Sequence, residues 1–200
     1  MTRTPAPAGG RPVGAAWHHR DVTSELNVDR ATAVVLRDRT NADLPALVDV
    51  LAAQQPASGY PHRWPLPFPV EEFLVRPDEQ RAWVAELDGA VVGHVSVTSV
   101  PDDRFGAIWS AGAGRPVDEL GCVSVLFVGP QAQGRGVGGA LLDVAVAHVH
   151  AQGRTPVLDV DDRDGVAHAV YLHRGWRVVG EARFDWQREG APPARMLVLP

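Results

Sequence analysis

The stretch that most constrains the fold runs from Cys122 to Gly153: CVSVLFV, then GPQAQ, then GRGVGG, then ALLDVAVAHVHAQG. A run dominated by Val, Leu and Phe fits a buried strand, because β-branched and aromatic side chains fill a pleated surface. The apolar-periodic run behind the glycines is long enough for a helix. It is predicted to carry Val137, Leu141, Val144, Ala145 and His148 on one face, with Gly153 at the position of a C-terminal cap. The unit is therefore strand, glycine-rich loop, helix. A helix whose first turn is built of glycine leaves its unpaired N–H groups uncovered, and these carry the positive end of the helix dipole. Such a terminus accepts phosphate.

Two other phosphate loops fit poorly. Gly134, Gly136 and Gly139 satisfy GxGxxG, and Asp159 follows about twenty residues on, where a dinucleotide fold wants a ribose-binding acid. In that fold the first glycine belongs to the turn that closes the strand, whereas Gly129 to Gln133 intervene here. The motif also begins too late in the chain to leave room for two mononucleotide halves. A loop of the GK[ST] type is excluded, since the chain has no lysine and all 19 basic residues are arginines.

The stretch resembles the coenzyme A motif of the GNAT superfamily of acetyltransferases, here Gln133-Gly134-Arg135-Gly136-Val137-Gly138, preceded by Leu126-Phe127-Val128-Gly129-Pro130. A second signature of that family, Asn-x-x-Ala-x-x-x-Tyr-x-x-x-Gly-Phe, is matched by the run from Asp164 to Trp176. There Ala167, Tyr171 and Gly175 stand in register, Asp164 replaces the usual Asn and Trp176 the usual Phe. Either motif alone is a weak signal; in order and at the family's separation they make a strong one.

Composition bounds the remainder. A chain of 200 residues with 45% hydrophobic content is sized for one domain. A net charge of −5, with no lysine-rich run or basic stripe, argues against a generic nucleic-acid binder. One cysteine, Cys122, precludes an intramolecular disulfide and points to a reducing, cytoplasmic setting. No apolar run approaches a membrane span and no signal-peptide core is visible, so neither membrane nor nucleic acid is an expected partner.

In chain order, residues 1–28 read as a flexible Pro/Gly-interrupted extension and residues 29–200 as the domain. The segment ATAVVLRDRT has strand composition, Thr40 to Asp43 offer helix caps, and Leu44 to Gln55 is the first predicted helix. Gly59 to Phe68 is too proline-rich for regular structure, yet Tyr60, Trp64 and Phe68 give it aromatic surface, as a lid over the core or a substrate wall. A short helix over Val70 to Val75 precedes a hairpin, Arg81–Leu87 and Ala90–Val100, turning at Asp88-Gly89. Residues 101–119 read as a mobile connection pinned to the surface by Trp109. Pro156–Val160 is a strand. The acids at its exit, Asp159, Asp161, Asp162 and Asp164, lack calcium-loop spacing and read as a solvated, helix-capping turn, so no metal is expected. A helix over Gly165–Arg174 and strands over Trp176–Trp186 and Arg195–Leu199 complete an α/β or α+β layered domain with a mixed sheet.

The resemblance implies a mostly antiparallel sheet flanked by helices, with central strands Cys122–Val128 and Pro156–Val160 splayed apart and acetyl-CoA as cosubstrate in the opening. It implies that the backbone of Leu126, Phe127 and Val128 pairs with the pantetheine arm. The N–H groups of Gln133, Gly134, Arg135, Gly136, Val137, Gly138 and Gly139 would hold the pyrophosphate, and Asp164 takes the place of the Asn that contacts pantetheine. Tyr171 would donate a proton to the leaving thiolate, its phenol being protonated at neutral pH. In this family the segment around the first two helices shapes the acceptor site, which makes Tyr60, Arg63 and Trp64 substrate candidates, Arg63 as a fork for a carboxylate. For the general base the candidates are Glu119 at the entrance of the central strand, then Glu86, then His94. The expected reaction is N-acetylation of a primary amine of a small molecule or peptide by direct attack in a ternary complex, and pairing through edge strands leaves room for a homodimer. A noncatalytic acyl-CoA-binding module, a dinucleotide-dependent oxidoreductase and a structural interaction domain are the competing readings.

Overall fold

A computed structural model describes residues 33–161, 166–185, 187 and 189–200; the extension expected at residues 1–28, and Asp164, lie outside the described residues. Seven strands form one sheet in the order β1-β2-β3-β4-β5-β7-β6. They are β1 (Val35–Asp38), β2 (Glu79–Leu87), β3 (Ala90–Thr98), β4 (Leu120–Val128), β5 (Thr155–Val160), β6 (Arg177–Ala182) and β7 (Ala194–Val198). Every neighbouring pair is antiparallel except β4 and β5, which run parallel. This is the mixed, mostly antiparallel sheet flanked by helices that the motif order implied. The β2–β3 turn has Asp88 at φ 53° and Gly89 at φ 77°, the pair of positive φ angles that matches the twist of a tight hairpin.

One face is covered by α4 (Val137–Ala151), which buries Val137, Leu141, Leu142, Ala145 and Val149 against Trp83, Val95, Val97, Val123 and Leu158. The buried stripe is turned slightly from the predicted one. Leu142 and Val149 face the sheet, while Val144 and His148 sit half-buried at its margin, where the His148 ring meets Trp83 edge-on at 5.2 Å. On the opposite face lie α1 (Leu44–Ser58) and α2 (Val70–Leu74), packed on Val84, Val125 and Phe127, and α3 (Arg104–Ala113), packed on Leu120, Cys122, Val157 and Met196. Helix α1 runs through Pro56, past its predicted end at Gln55, until Gly59 at φ 67° caps it by donating to the Gln55 carbonyl at 2.7 Å.

Helix α3 overturns the expectation of a mobile connection. Asp103 caps it, accepting from the amides of Phe105 and Gly106 at 2.8 and 3.0 Å. The glycines that read as breakers are there for close approach: a Cβ on Gly106 would stand 2.0 Å from the Pro101 oxygen, and one on Gly112 would stand 2.3 Å from Val179. Trp109 is not a surface pin but is 3% exposed, and its indole donates to the Leu158 carbonyl at 3.1 Å.

Candidate active site

Strands β4 and β5 pair only from Leu120–Thr155 to Cys122–Val157. Beyond that point they part, and a cavity of about 1040 Å³ opens between them, lined from both faces of the sheet. At the same level β4 carries an extra residue, for His94 stands opposite Phe127 while Ser96 stands opposite Ser124. Val125 takes up the bulge at φ 51°, a conformation a β-branched residue rarely adopts and one that persists where its surroundings enforce it.

The enforcing group is His94. It is fully buried, its Nδ1 donates to the Val125 carbonyl at 2.9 Å, and its Nε2 accepts from Arg39 Nη1 at 3.2 Å. Arg39 is fixed in turn by Glu79, at 2.6 and 2.9 Å, and by the Leu74 carbonyl at 2.7 Å. A ring that donates on one side and accepts from a guanidinium on the other is neutral, in agreement with burial pushing the His94 pKa down to about 4. With both nitrogens committed, His94 braces the bulge and is not a candidate base.

At the far end of β4 the chain turns into the glycine loop. Gly134 and Gly136 have φ of 73° and 77°, and nothing lies within 4 Å of where their side chains would be. Gly136 is the N-cap of α4, and the helical ladder starts with Ala140 N–H donating to the Gly136 carbonyl at 3.0 Å. The amides of Val137, Gly138 and Gly139 therefore precede the ladder. The Gln133 side chain bridges the loop to the Val128 carbonyl at 3.3 Å, Val137 anchors the helix in the core, and Arg135 stands exposed at the tip. Leu126, Phe127, Val128, Gln133, Gly134 and Gly136 to Gly139 all line the cavity, as does Tyr171 on α5 (Val166–His173), whose ring packs edge-on against Trp176 at 5.8 Å.

The opposite wall comes from the α1–α2 loop. Tyr60 and Arg63 line the cavity, while Trp64 packs into the α1–α2 core, a correction to its placement as a substrate contact. The Tyr60 ring meets Phe73 at 5.8 Å, and burial pushes its phenol well above the usual range. Glu119 needs a second correction. It precedes β4 at the closed end of the splay, exposed and paired with Arg115 at 2.6 Å, because the strands diverge towards the other end of β4. Glu86 is likewise taken, by Arg37 at 2.6 Å.

Sequence reading missed the acids that do face the cavity. Asp159 and Asp161 are not a solvated turn. The Asp159 carboxyl is partly buried and raised to about 6 by desolvation, and the Asp161 side chain is 3% exposed. Strand period two would have found them: Leu158 packs with α4 on one face, so Asp159 belongs with Val157 on the other, away from the glycine loop. A ribose contact for Asp159 beside those glycines is thereby excluded. Among the described residues, no group of three or more His, Cys, Asp or Glu is arranged to hold a metal, and no helix is long and apolar enough to cross a membrane.

Comparison with known proteins agrees with this geometry. The family model described as "Acetyltransferase (GNAT) family" matches residues 44–176. A mycothiol acetyltransferase of Cellulomonas flavigena is 33% identical over 113 residues, which is 56% of this chain and 29% of that protein, so the chain spans less than a third of its length. An N-acetyltransferase from Staphylococcus aureus Mu50 superposes with a TM-score of 0.62 at 17% identity, covering 84% of this chain and 97% of that one. The ribosomal-protein-S18-alanine N-acetyltransferase of Escherichia coli gives 0.60 at 16% identity, covering 84% and 94%. At these identities the two structures show a shared fold.

Proposed function

Because the chain belongs to the acetyltransferase (GNAT) family, we propose that it moves the acetyl group of acetyl-CoA to a primary amine of a small molecule or peptide, by direct attack in a ternary complex. The observation that carries this reading is the alignment of three features along one line. The sheet opens at the β4 bulge, the freed edge of β4 runs on through Leu126 to Val128, and that edge leads through the glycine loop to the N-terminal amides of α4.

The residues present suit such a cosubstrate. An extended amide-bearing arm can pair with a strand edge that has lost its β5 partner, and a diphosphate suits amides at a helix N-terminus where Gly134 and Gly136 leave open space. When bound, acetyl-CoA supplies an activated thioester. Backbone N–H groups at the bulge, which His94 braces through the Val125 carbonyl, would be the donors to charge developing on an acyl oxygen. Tyr171, which lines the cavity, is the proposed proton donor to a departing thiolate.

A dinucleotide oxidoreductase is not favoured, since the sheet has a single parallel pair instead of two mononucleotide halves. The test is calorimetric titration with acetyl-CoA, beside a Gly136→Glu, Gly138→Glu variant that puts carboxylates over the amides. Micromolar binding lost in the variant, followed by amine-dependent thiol release, is the expected result. A folded protein that ignores acetyl-CoA would sink the reading.

A further inference from the structure

We infer that the acceptor is a primary ammonium carried on an apolar or aromatic body, and that Asp159 takes its proton while Oδ1 of Asp161 holds it in place. The inference rests on the acetyltransferase reading and names the acceptor side of the same cavity.

Position comes first. Asp159 and Asp161 follow the last β4–β5 pair, so they stand where the sheet has opened, and both line the cavity on the face bounded by α1 to α3. Asp161 is held in a particular way. Its Oδ2 accepts from Gln187 Nε2 at 3.1 Å and lies 3.6 Å from His62, whereas its Oδ1 is buried and, among the described residues, meets no hydrogen-bond partner. A buried carboxylate oxygen is costly unless a donor reaches it, and an N–H from a ligand in the cavity would supply one. Asp159 forms no ion pair among the described residues. The cation that acts on it most, Arg76, is drawn aside: its Nε donates to the Phe73 carbonyl at 3.3 Å and its guanidinium lies 5.0 Å over the Phe73 ring.

The other groups around Asp159 come from several elements. Tyr60 and His62 come from the α1–α2 loop, Arg76 and Asp78 from the segment before β2, Thr98 from β3, Cys122 from β4, Asp161 from the end of β5 and Tyr171 from α5. Desolvation raises both the Tyr60 phenol and the Cys122 thiol, so neither is an anion at neutral pH. Desolvation, with Asp161 adding to it, also raises Asp159 to about 6, near the range of an effective base. Tyr60, Phe68, Phe73, Phe105 and Phe184 line the same chamber, which is why the ammonium is assigned an apolar or aromatic body. In the step itself one N–H bond of the ammonium breaks, an O–H bond forms on Asp159, and the electron pair remains on nitrogen. The neutral amine is then the nucleophile.

The test uses the full chain and initial rates of thiol release from acetyl-CoA with a panel of primary amines: arylalkylamines, alkyl diamines, amino sugars and short peptides with free amino termini. For the best amine, Asp159→Asn should lower kcat/KM at least 100-fold and remove the ascending limb near pH 6, while the Kd for acetyl-CoA stays within threefold. Asp159→Glu should recover part of the rate. Asp161→Asn should raise KM for the amine about tenfold with kcat little changed. In the unsubstituted protein, ¹³C-aspartate spectra should show a carboxyl titrating near pH 6 that moves when the amine is added. Asp159→Asn with kcat/KM within threefold, a carboxyl that ignores the amine, or a panel in which no amine is acetylated would overturn the inference. Retained acetyl-CoA binding in those cases leaves the acetyltransferase reading standing, and its loss removes both.

Discussion

At the scale of single residues, His94 does two things at once that few side chains can do: it donates to the Val125 carbonyl and accepts from Arg39. His94→Leu strands both partners in the interior, and unfolding titration should show a loss of about 2–4 kcal/mol with reduced kcat. His94→Asn keeps a donor near the Nδ1 position and should recover most of the rate but only part of the stability. If His94→Leu leaves kcat untouched, the bulge does not depend on its brace. Tyr171→Phe tests a different step. It should lower kcat by about 10- to 100-fold with acetyl-CoA affinity unchanged, a split that stopped-flow binding beside steady-state rates resolves.

At the scale of elements, the N-terminus of α4 is the part whose chemistry depends least on side chains. A single Gly138→Glu places a carboxylate where a diphosphate would sit, within ordinary contact of Val128, and should weaken acetyl-CoA at least 30-fold by calorimetry while moving Tm by only a few degrees. This element was legible from sequence because glycine spacing, strand composition and helical period all pointed the same way. Helix α3 was not, because Gly106, Gly112 and Gly114 look identical whether glycine ends a helix or lets one lie close on a sheet, and only the packing partner separates the two. The acids of β5 were misread for a related reason. Asp at a strand exit is normally solvated, and burial of Asp159 follows from a splay that the local sequence does not encode. Glu119 failed from the other side: its place before β4 was correct, but the end at which the strands diverge is a property of the pair.

At the scale of the molecule, two desolvated groups oppose each other in acid. His94, at about 4 folded against 6.5 unfolded, binds fewer protons in the fold, so its contribution is full above pH 6.5 and lost as pH falls towards 4. Asp159, at about 6 against 3.8, binds more protons in the fold, so stability falls as pH rises across nearly the same window. Thermal scans from pH 4 to 6.5 should therefore change little for the native sequence. Asp159→Asn should expose an acid-labile slope and gain about 1–2 kcal/mol at pH 7.5, roughly 3–6 °C in Tm, whereas a gain that does not vanish towards pH 4 would contradict the assignment. The parallel seam has a further consequence. Only three residue pairs stitch β4 to β5, so backbone amides on its two sides, β1–β4 and β5–β7, should exchange with deuterium as two separately opening blocks. A ligand lodged in the gap would act as the missing thread, slowing exchange in both blocks together, while one resting on a single face would quieten only its own side.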